Sequence, residues 1–168
     1  MRKTGIFFGS NTGTTQEIAE QIADLLGIDK SDVHDVASSA PTDVADYGAL
    51  ILGTSTWGDG DLEDNWEDFI NGLAAIDLTG KKVALFGCGD TSMSDTFCDG
   101  VGILYDRLKD SGADFIGQFN TDGYDFNESK AVKDGKAVGL LIDNVNYPEM
   151  TPERLDLWAT IVKNAISD

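Results

Sequence analysis

The feature that most constrains the fold of this chain is an alternation of short apolar runs with segments of helical periodicity. Most of the five short apolar runs lack polar alternation, which is typical of parallel strands buried on both faces. The five runs are Thr4–Phe8, Ala49–Gly53, Val83–Gly87, Phe115–Phe119 and Val138–Ile142. One further segment, Val33–Val36, is predicted to be the second strand in chain order.

Apolar residues at helical spacing occupy most of the intervals between these runs. The stripes are Ile18–Leu26, Trp66–Leu73, Phe97–Leu108 and Leu155–Ala165. The last helix has a predicted start at Thr151, a hydroxyl N-cap followed by proline at the first helical position. Strands that alternate with helices predict an α/β fold, an open parallel sheet with helices on both faces.

The 168 residues suit one domain of this class with a sizeable core, and we expect a single domain over residues 1–168. Residues 120–137 are too polar for a core strand. We therefore expect them to form a long insertion that interrupts the last strand, whose two pieces are Phe115–Phe119 and Val138–Ile142.

The charge balance excludes several classes of protein. With 12 Lys+Arg against 30 Asp+Glu, the net charge is −18 at pH 7, which argues against binding to nucleic acid or to an anionic membrane. No apolar stretch approaches the roughly 20 residues of a membrane span, and no cleavable signal precedes the first strand. Cys88 and Cys98 form no metal-binding pattern. We expect a soluble, cytoplasmic protein without a metal site.

The acidic residues are unevenly distributed. No Lys or Arg occurs between Lys30 and Lys81, an interval with eleven carboxylates, six of them within residues 59–68. One interpretation is a solvated surface that favours solubility. The other is a patch of one sign that attracts a basic partner over a long range. The position of those six acids beside an unusual loop favours the second interpretation.

Ligands of open parallel sheets bind beyond the carboxyl ends of the strands. Three loops leave those ends, at residues 9–15, 54–62 and 88–97. The first is rich in hydroxyl groups at the start of a helix, which suits a phosphate held by neutral donors. It lacks the lysine of a nucleotidase loop, so a phosphate there would stay bound without reacting. An ordinary helix cap of small residues is the alternative.

The other two loops are also unusual. Trp57 lies between small and acidic residues, where it is poorly placed for a core and well placed to stack on a planar ligand. Gly58 and Gly60 beside it permit backbone conformations that other residues resist. Alternatively, Trp57 folds back over a strand end, and the 88–97 loop is an ordinary strand-to-helix turn. Cys88 is predicted to be a buried strand-end residue rather than a redox centre.

These three loops, in this order, resemble those of a flavodoxin. The resemblance runs from Gly5 to Ala165, and Thr121–Phe126 and Ser129–Ala131 in the insertion are typical of the long-chain group. It implies a flavodoxin-like five-stranded sheet of order 2-1-3-4-5. It also implies a low-potential one-electron carrier with non-covalent FMN, which alternates between semiquinone and hydroquinone and catalyses no substrate reaction of its own.

The resemblance implies a role for each loop. The first would hold the FMN phosphate, Thr56 would lie near the ribityl chain, and Trp57 would cover one face of the flavin. The peptide at Gly58 would accept a hydrogen bond from the flavin N5–H of the semiquinone, and the 88–97 loop would meet the pyrimidine edge. The implied cofactor-binding residues are Ser10, Asn11, Thr12, Gly13, Thr14, Thr15, Thr56, Trp57, Gly58, Asp59, Gly60, Cys88, Gly89, Asp90, Met93, Asp95 and Asn146.

The sequence departs from the family pattern at two places. A tyrosine usually covers the outer face of the flavin, whereas here the loop is one residue shorter and Met93 stands at or near that position. A thioether packs on an aromatic ring, but we expect weaker stacking. Many relatives have an acidic residue about where Val145 lies, and Asn146 is the candidate for a substitute ribityl contact.

The acidic residues suggest a mechanism. A carboxylate about 10 Å from the flavin, at an effective dielectric near 20, opposes its full reduction by roughly 1.7 kcal/mol. For one electron this is on the order of 70 mV. The hypothesis is that the acids around residues 59–68 both lower the second potential and dock basic redox enzymes, with the carrier acting as a monomer.

Two other classes of protein remain for comparison. An FMN-dependent NAD(P)H or quinone reductase would share fold and cofactor, but the sequence has no evident signal for a substrate pocket. A flavin-free receiver domain needs paired aspartates after the first strand and a phosphorylatable aspartate after the third. Here those strands end in Phe8-Gly9 and Thr54-Ser55, which argues against a receiver.

Overall fold

A computed structural model of the protein describes residues 2–10, 13–57, 60–92 and 95–167, without the side chain of Trp57. The strands are β1 (Thr4–Gly9), β2 (Val33–Asp35), β3 (Ala49–Trp57), β4 (Asp61–Leu62), β5 (Lys82–Cys88), β6 (Asp114–Ile116), β7 (Phe119–Asn120), β8 (Val132–Lys133), β9 (Lys136–Ala137) and β10 (Leu140–Ile142). The α-helices are α1 (Thr14–Leu26), α2 (Asp64–Ala74), α3 (Asp99–Leu108) and α4 (Thr151–Ser167). Short 3₁₀ turns occur at Lys30–Asp32, Val36–Ser38, Pro41–Asp46 and Pro148–Met150.

The main sheet has the order β10-β5-β3-β1-β2, with every neighbouring pair parallel. This is the predicted order 2-1-3-4-5, which is thereby confirmed. The fifth strand position is shared, because β6 pairs with the first half of β5 and β10 with its second half. The predicted interruption of the last strand is therefore confirmed as well.

The core lies between the sheet and two layers of helices. Strands β1 and β5 are buried along their whole length, as their unbroken apolar runs predicted. Helix α1 packs near α4, and α2 near α3. Trp66 and Trp158 are among the largest fully buried side chains. Burial of each large apolar side chain favours the folded state by about 1.5–3 kcal/mol.

The insertion at residues 120–137 packs against the rest of the domain. Its strands form a small antiparallel sheet of order β7-β9-β8, and Ala131 and Ala137 are buried. The Tyr124 hydroxyl donates to the Leu141 carbonyl oxygen at 2.5 Å. The Arg154 guanidinium lies 3.7 Å from the centre of the Tyr124 ring. These contacts attach the insertion to β10 and α4.

One predicted strand boundary and one predicted helix cap differ from the structure, whereas the predicted start of the last helix at Thr151 is confirmed. The predicted strand Phe115–Phe119 ends at Ile116, because Gly117 has φ +81°, a left-handed conformation that stops the strand. Phe119 pairs with Ala137 of the small sheet instead. The predicted N-cap at Thr151 is wrong, since Thr151 already has helical angles after a 3₁₀ turn and its hydroxyl donates to Asn144. Within the described ranges, no helix combines the length and apolar character needed to cross a membrane.

Candidate functional site

The carboxyl ends of β1, β3, β5 and β10 meet at one edge of the sheet, which we call the carboxyl edge. The strand register brings Gly9 beside Thr54, Ser55 beside Cys88, and Cys88 beside Ile142. The loops 9–15, 54–62 and 88–97 all leave this edge, together with the turn 143–146. The three predicted loops therefore do converge, as ligand sites of parallel sheets require.

The first loop leads into α1 with hydroxyl groups at its start. Ser10 Oγ accepts a hydrogen bond from the Gly13 N–H at 2.9 Å. Gly13 is the N-cap of α1 and has no side chain to cap the helix. Thr15 is 1% exposed, and its hydroxyl makes no hydrogen bond of ordinary geometry with the residues that the structure describes. It lies beside the thiol of Cys88, which is a weak hydrogen-bonding group. Asn11 and Thr12, two predicted phosphate contacts, lie outside the described residues.

The second loop is closed by β4, which runs antiparallel to the end of β3 and pairs Thr56 with Leu62. Thr56 Oγ1 accepts a hydrogen bond from the Gly100 N–H at 2.9 Å, so its hydroxyl proton is still available to another acceptor. The Ser55 hydroxyl is buried and has no hydrogen-bond partner among the described residues. Gly58, Asp59 and the side chain of Trp57 lie outside the described residues.

Gly60 fixes the far side of this loop. Its φ of +96° favours glycine, and a β-carbon there would come within 2.7 Å of Asp99 Oδ2. Asp99 is buried, and its other carboxylate oxygen accepts the Lys130 N–H at 2.8 Å. The second loop, the start of α3 and the insertion are thus packed together.

The third loop begins with a buried thiol. Burial raises the pKa of Cys88 to about 12, which agrees with its prediction as a strand-end residue rather than a redox centre. The Gly89 N–H donates to the Ile142 carbonyl oxygen at 2.9 Å. Asp95 is exposed and accepts the Asn127 side-chain amide of the insertion at 3.3 Å. Met93 lies outside the described residues.

Asp90 and Asn146 are connected directly. Asp90 Oδ1 accepts the Asn146 Nδ2 amide at 2.6 Å and the Ser92 N–H at 2.8 Å. The hydrogen bond from the Ser92 hydroxyl, with a further one from Asn146, lowers the pKa of Asp90 against a smaller opposing effect of burial. Asn146 was predicted as a substitute ribityl contact, but its amide protons are used within the protein.

Sequence reasoning missed Asp143, which follows β10 directly. It is 1% exposed and accepts hydrogen bonds from Thr91, Val145 and Asn146. Burial alone would raise its pKa, but the hydrogen bonds from Thr91 and Asn146 outweigh burial and hold the pKa below its ordinary value. The signal that could have found it is an aspartate immediately after an apolar strand that ends at the carboxyl edge.

Glu63, the N-cap of α2, was also missed. It is fully buried, and its Oε2 accepts the Asn65 N–H at 3.1 Å. Burial raises its pKa above the ordinary value, although hydrogen bonds from Asn65 and Trp66 act in the opposite direction. Within the described part of the chain, no group of three or more His, Cys, Asp or Glu side chains could hold a metal ion.

Comparison with known proteins bears directly on this arrangement. The flavodoxin family model matches residues 6–158. A flavodoxin from Nostoc sp. (strain PCC 7120) is 42% identical over 164 residues, which cover 97% of this chain and 96% of the relative. The chain belongs to the flavodoxin family. Flavodoxin 1 from Salmonella typhimurium is 46% identical over 160 residues. The aligned region covers 94% of this chain and 91% of the Salmonella protein.

Solved flavodoxins agree with this assignment. The flavodoxin from Fusobacterium nucleatum was solved with flavin mononucleotide bound, and it has a TM-score of 0.90 and 33% sequence identity to this chain. The superposition covers 98% of this chain and 99% of the Fusobacterium chain. Flavodoxin 1 from Bacillus cereus has a TM-score of 0.70 and is 30% identical. The superposition covers 96% of this chain and 97% of the Bacillus cereus chain. The flavodoxin-like fold is confirmed, and these relatives do not favour the alternative of a reductase.

Proposed function

We propose that this flavodoxin is a low-potential one-electron carrier that binds FMN non-covalently at the carboxyl edge and catalyses no substrate reaction of its own. The observation that carries this function is the convergence of three loops at one edge of the sheet, in a chain of the flavodoxin family. Bound FMN would supply the one-electron chemistry, and the protein would hold and orient it.

The residues at the carboxyl edge fit such a ligand. The hydroxyls of Thr15 and Ser55 are buried there, and neither has a hydrogen-bond partner of ordinary geometry in the part of the chain that the structure describes. Each unsatisfied buried polar group costs about 1–3 kcal/mol, a cost that a polar ligand beside it can relieve. The start of α1 adds a field that favours an anion, and Gly13 leaves it without a side-chain cap. Together these features support a phosphate held by neutral groups.

The roles proposed for the individual residues follow the three loops. Ser10, Asn11, Thr12, Gly13, Thr14 and Thr15 bind the phosphate, and the Thr56 hydroxyl proton is directed to the ribityl chain. Trp57 covers one face of the flavin, the peptide of Gly58 accepts a hydrogen bond from the flavin N5–H, and Met93 packs on the outer face. Asp59, Gly60, Cys88, Gly89, Asp90 and Asp95 line the ring through backbone groups.

Hydrogen bonds within the protein restrict which atoms of Gly89 and Asn146 can contact FMN. The Gly89 N–H is occupied by the Ile142 carbonyl oxygen, so Gly89 can meet FMN only through its own carbonyl oxygen. The amide protons of Asn146 are directed to Asp90 and Asp143, so a ribityl contact would have to use the Asn146 carbonyl oxygen. The main role of the Asn146 side chain is therefore to hold Asp90 and Asp143 together, and any contact with the cofactor is secondary.

We further propose that this single-domain protein is a cytoplasmic monomer whose electron donors and acceptors are redox enzymes with basic surfaces. The support is an acidic rim of exposed carboxylates beside the second loop. Its members are Asp61, Asp64, Glu67 and Asp68. Carboxylates of one sign with no nearby cation in the sequence attract a basic partner and orient it toward the cofactor.

The test is the visible spectrum of the purified protein, followed by titration of the apoprotein with FMN. We expect a yellow protein, quenching of FMN fluorescence at one FMN per chain, and two resolved one-electron reduction steps. A colourless protein that cannot be reconstituted with FMN would refute the proposal. Consumption of NAD(P)H by the protein alone would instead favour the reductase.

A further inference from the structure

The Asp143 carboxylate joins two loops that are distant in sequence. Its Oδ2 accepts the Thr91 N–H at 3.0 Å and the Thr91 hydroxyl at 2.5 Å, across 52 residues of chain. Its Oδ1 accepts the N–H groups of Val145 and Asn146, both at 2.9 Å. One buried side chain thus closes its own turn and holds the 88–97 loop against it.

Asn146 extends this connection to Asp90. Its Nδ2 amide donates to Asp143 Oδ2 at 3.0 Å and to Asp90 Oδ1 at 2.6 Å. A primary amide has two protons, and these two contacts use both. The amide lies between two carboxylates that would otherwise repel each other, and Asp90 in turn holds the Ser92 N–H. The first half of the 88–97 loop is therefore held from Asp90 to Ser92.

The charge of Asp143 is part of this arrangement. A buried carboxylate is costly unless hydrogen bonds replace its water. The donors that converge on Asp143 come from Thr91, Val145 and Asn146, and hydrogen bonds to an ionised group are about twice as strong as neutral ones. The connection is therefore strongest with Asp143 ionised, as it is at neutral pH.

We propose that Asp143 is a positioning residue for the flavin site: without touching FMN, it fixes residues 88–92 in the form that FMN requires. This inference rests on the proposed function, because Cys88, Gly89 and Asp90 are the loop residues assigned there to the flavin ring. A loop that is ordered before binding loses less conformational entropy when the ligand arrives. The Asp143 side chain thus contributes to the FMN affinity although it does not contact FMN.

The test compares FMN binding to Asp143→Asn with binding to wild type. Asparagine preserves shape but replaces one carboxylate oxygen by an amide that cannot accept a hydrogen bond, so donors from Thr91 or from the 143–146 turn lose their partner. We expect the Kd for FMN, measured by fluorescence quenching, to rise roughly tenfold. The visible circular dichroism of bound FMN should change as well. Asp156→Asn removes an exposed carboxylate on α4 and should leave both unchanged.

A second pair of variants changes Thr91, the donor in the hydrogen bond to Asp143. Thr91→Val removes the hydroxyl that donates to Asp143, whereas Thr91→Ser keeps it. We expect Thr91→Val to raise the Kd severalfold and Thr91→Ser to remain close to wild type. Thr91→Val and Asp143→Asn should be less than additive, because they remove the same contact.

The outcomes separate positioning from stability alone. If folded Asp143→Asn binds FMN with the wild-type Kd and visible dichroism, Asp143 only stabilises the fold and the inference is wrong. If Asp143→Asn does not fold, the Thr91 pair decides, and equal Kd values for the two Thr91 variants overturn the inference. Failure of wild type to bind FMN would refute the proposed function itself, and this inference with it.

Discussion

Glu63 Oε2 lies so close to Gly9 that a β-carbon at position 9 would come within 2.3 Å of it. The carboxylate at the start of α2 is therefore packed against the end of β1, directly before the 9–15 loop. Only glycine at position 9 leaves room for it. Glu63 is fully buried there, and burial raises its pKa.

We expect the free energy of unfolding of Glu63→Gln, relative to that of wild type, to rise between pH 4 and pH 8. Both Glu63 oxygens accept hydrogen bonds, so glutamine loses one acceptor at every pH, and only the ionisation of Glu63 changes with pH. Since the folded state raises the Glu63 pKa above its ordinary 4.5, ionisation of Glu63 costs stability above that pH, and the cost disappears as the pH falls. The stability of Glu63→Gln relative to wild type should therefore be lowest below pH 4.5 and should rise above it. Urea unfolding between pH 4 and pH 8 measures it. The exposed Glu67→Gln on the same helix should change stability by no more than about 0.5 kcal/mol. A stability difference between Glu63→Gln and wild type that does not change with pH would contradict this prediction.

The acidic rim should control the salt dependence of electron transfer. In Asp64→Asn/Glu67→Gln/Asp68→Asn, the rate with a basic redox partner should fall at low ionic strength and depend less on salt, because steering by charge is weakened. Stopped-flow rates at several salt concentrations provide the measurement.

The matched control removes the same charge elsewhere. Asp24→Asn/Glu153→Gln/Asp156→Asn neutralises exposed carboxylates on α1 and α4. We expect it to retain nearly the wild-type salt dependence. Equal changes in the two triple variants would show that net charge, and not the position of the rim, determines the attraction.

Gly60→Ala should destabilise the apoprotein more than Gly135→Ala does. Both glycines have left-handed backbone, with φ +96° and +80°, so each alanine costs about 1–2 kcal/mol in strain. Only at position 60 would the new β-carbon also meet Asp99 Oδ2, at 2.7 Å, whereas position 135 has nothing within 4 Å. Urea unfolding of both variants measures the difference. Equal losses would mean that the contact with Asp99 relaxes at no cost.

Both cysteines should resist thiol reagents in the folded protein. Burial raises the pKa of Cys88 to about 12 and that of Cys98 well above its ordinary value, so almost no thiolate forms at neutral pH. With a chromogenic disulfide reagent at pH 8, we expect slow labelling in buffer and rapid labelling of two thiols in urea. Cys88→Ser and Cys98→Ser assign any residual reactivity. Fast labelling of the native protein would contradict this expectation.

The sequence by itself determined the class of sheet, the order of its elements and the three loops at its carboxyl edge. These follow from local signals: unbroken apolar runs, such as Val83–Gly87, predict strands buried on both faces, and parallel strands bring their ends to one edge. The family motifs then added the strand order 2-1-3-4-5. The apolar runs and the loop motifs are patterns of a few neighbouring residues, which is why the sequence alone shows them.

Only the tertiary structure decided which polar groups are buried and what holds them. Asp143 meets Thr91 across 52 residues, and Glu63 lies against Gly9, which sequence periodicity cannot indicate. The insertion looked too polar to pack, yet Tyr124 and Arg154 hold it to the domain. The physical reason is that the cost of burying a charge depends on donors brought together by the whole fold, whereas an isolated aspartate or glutamate in a sequence predicts a solvated surface.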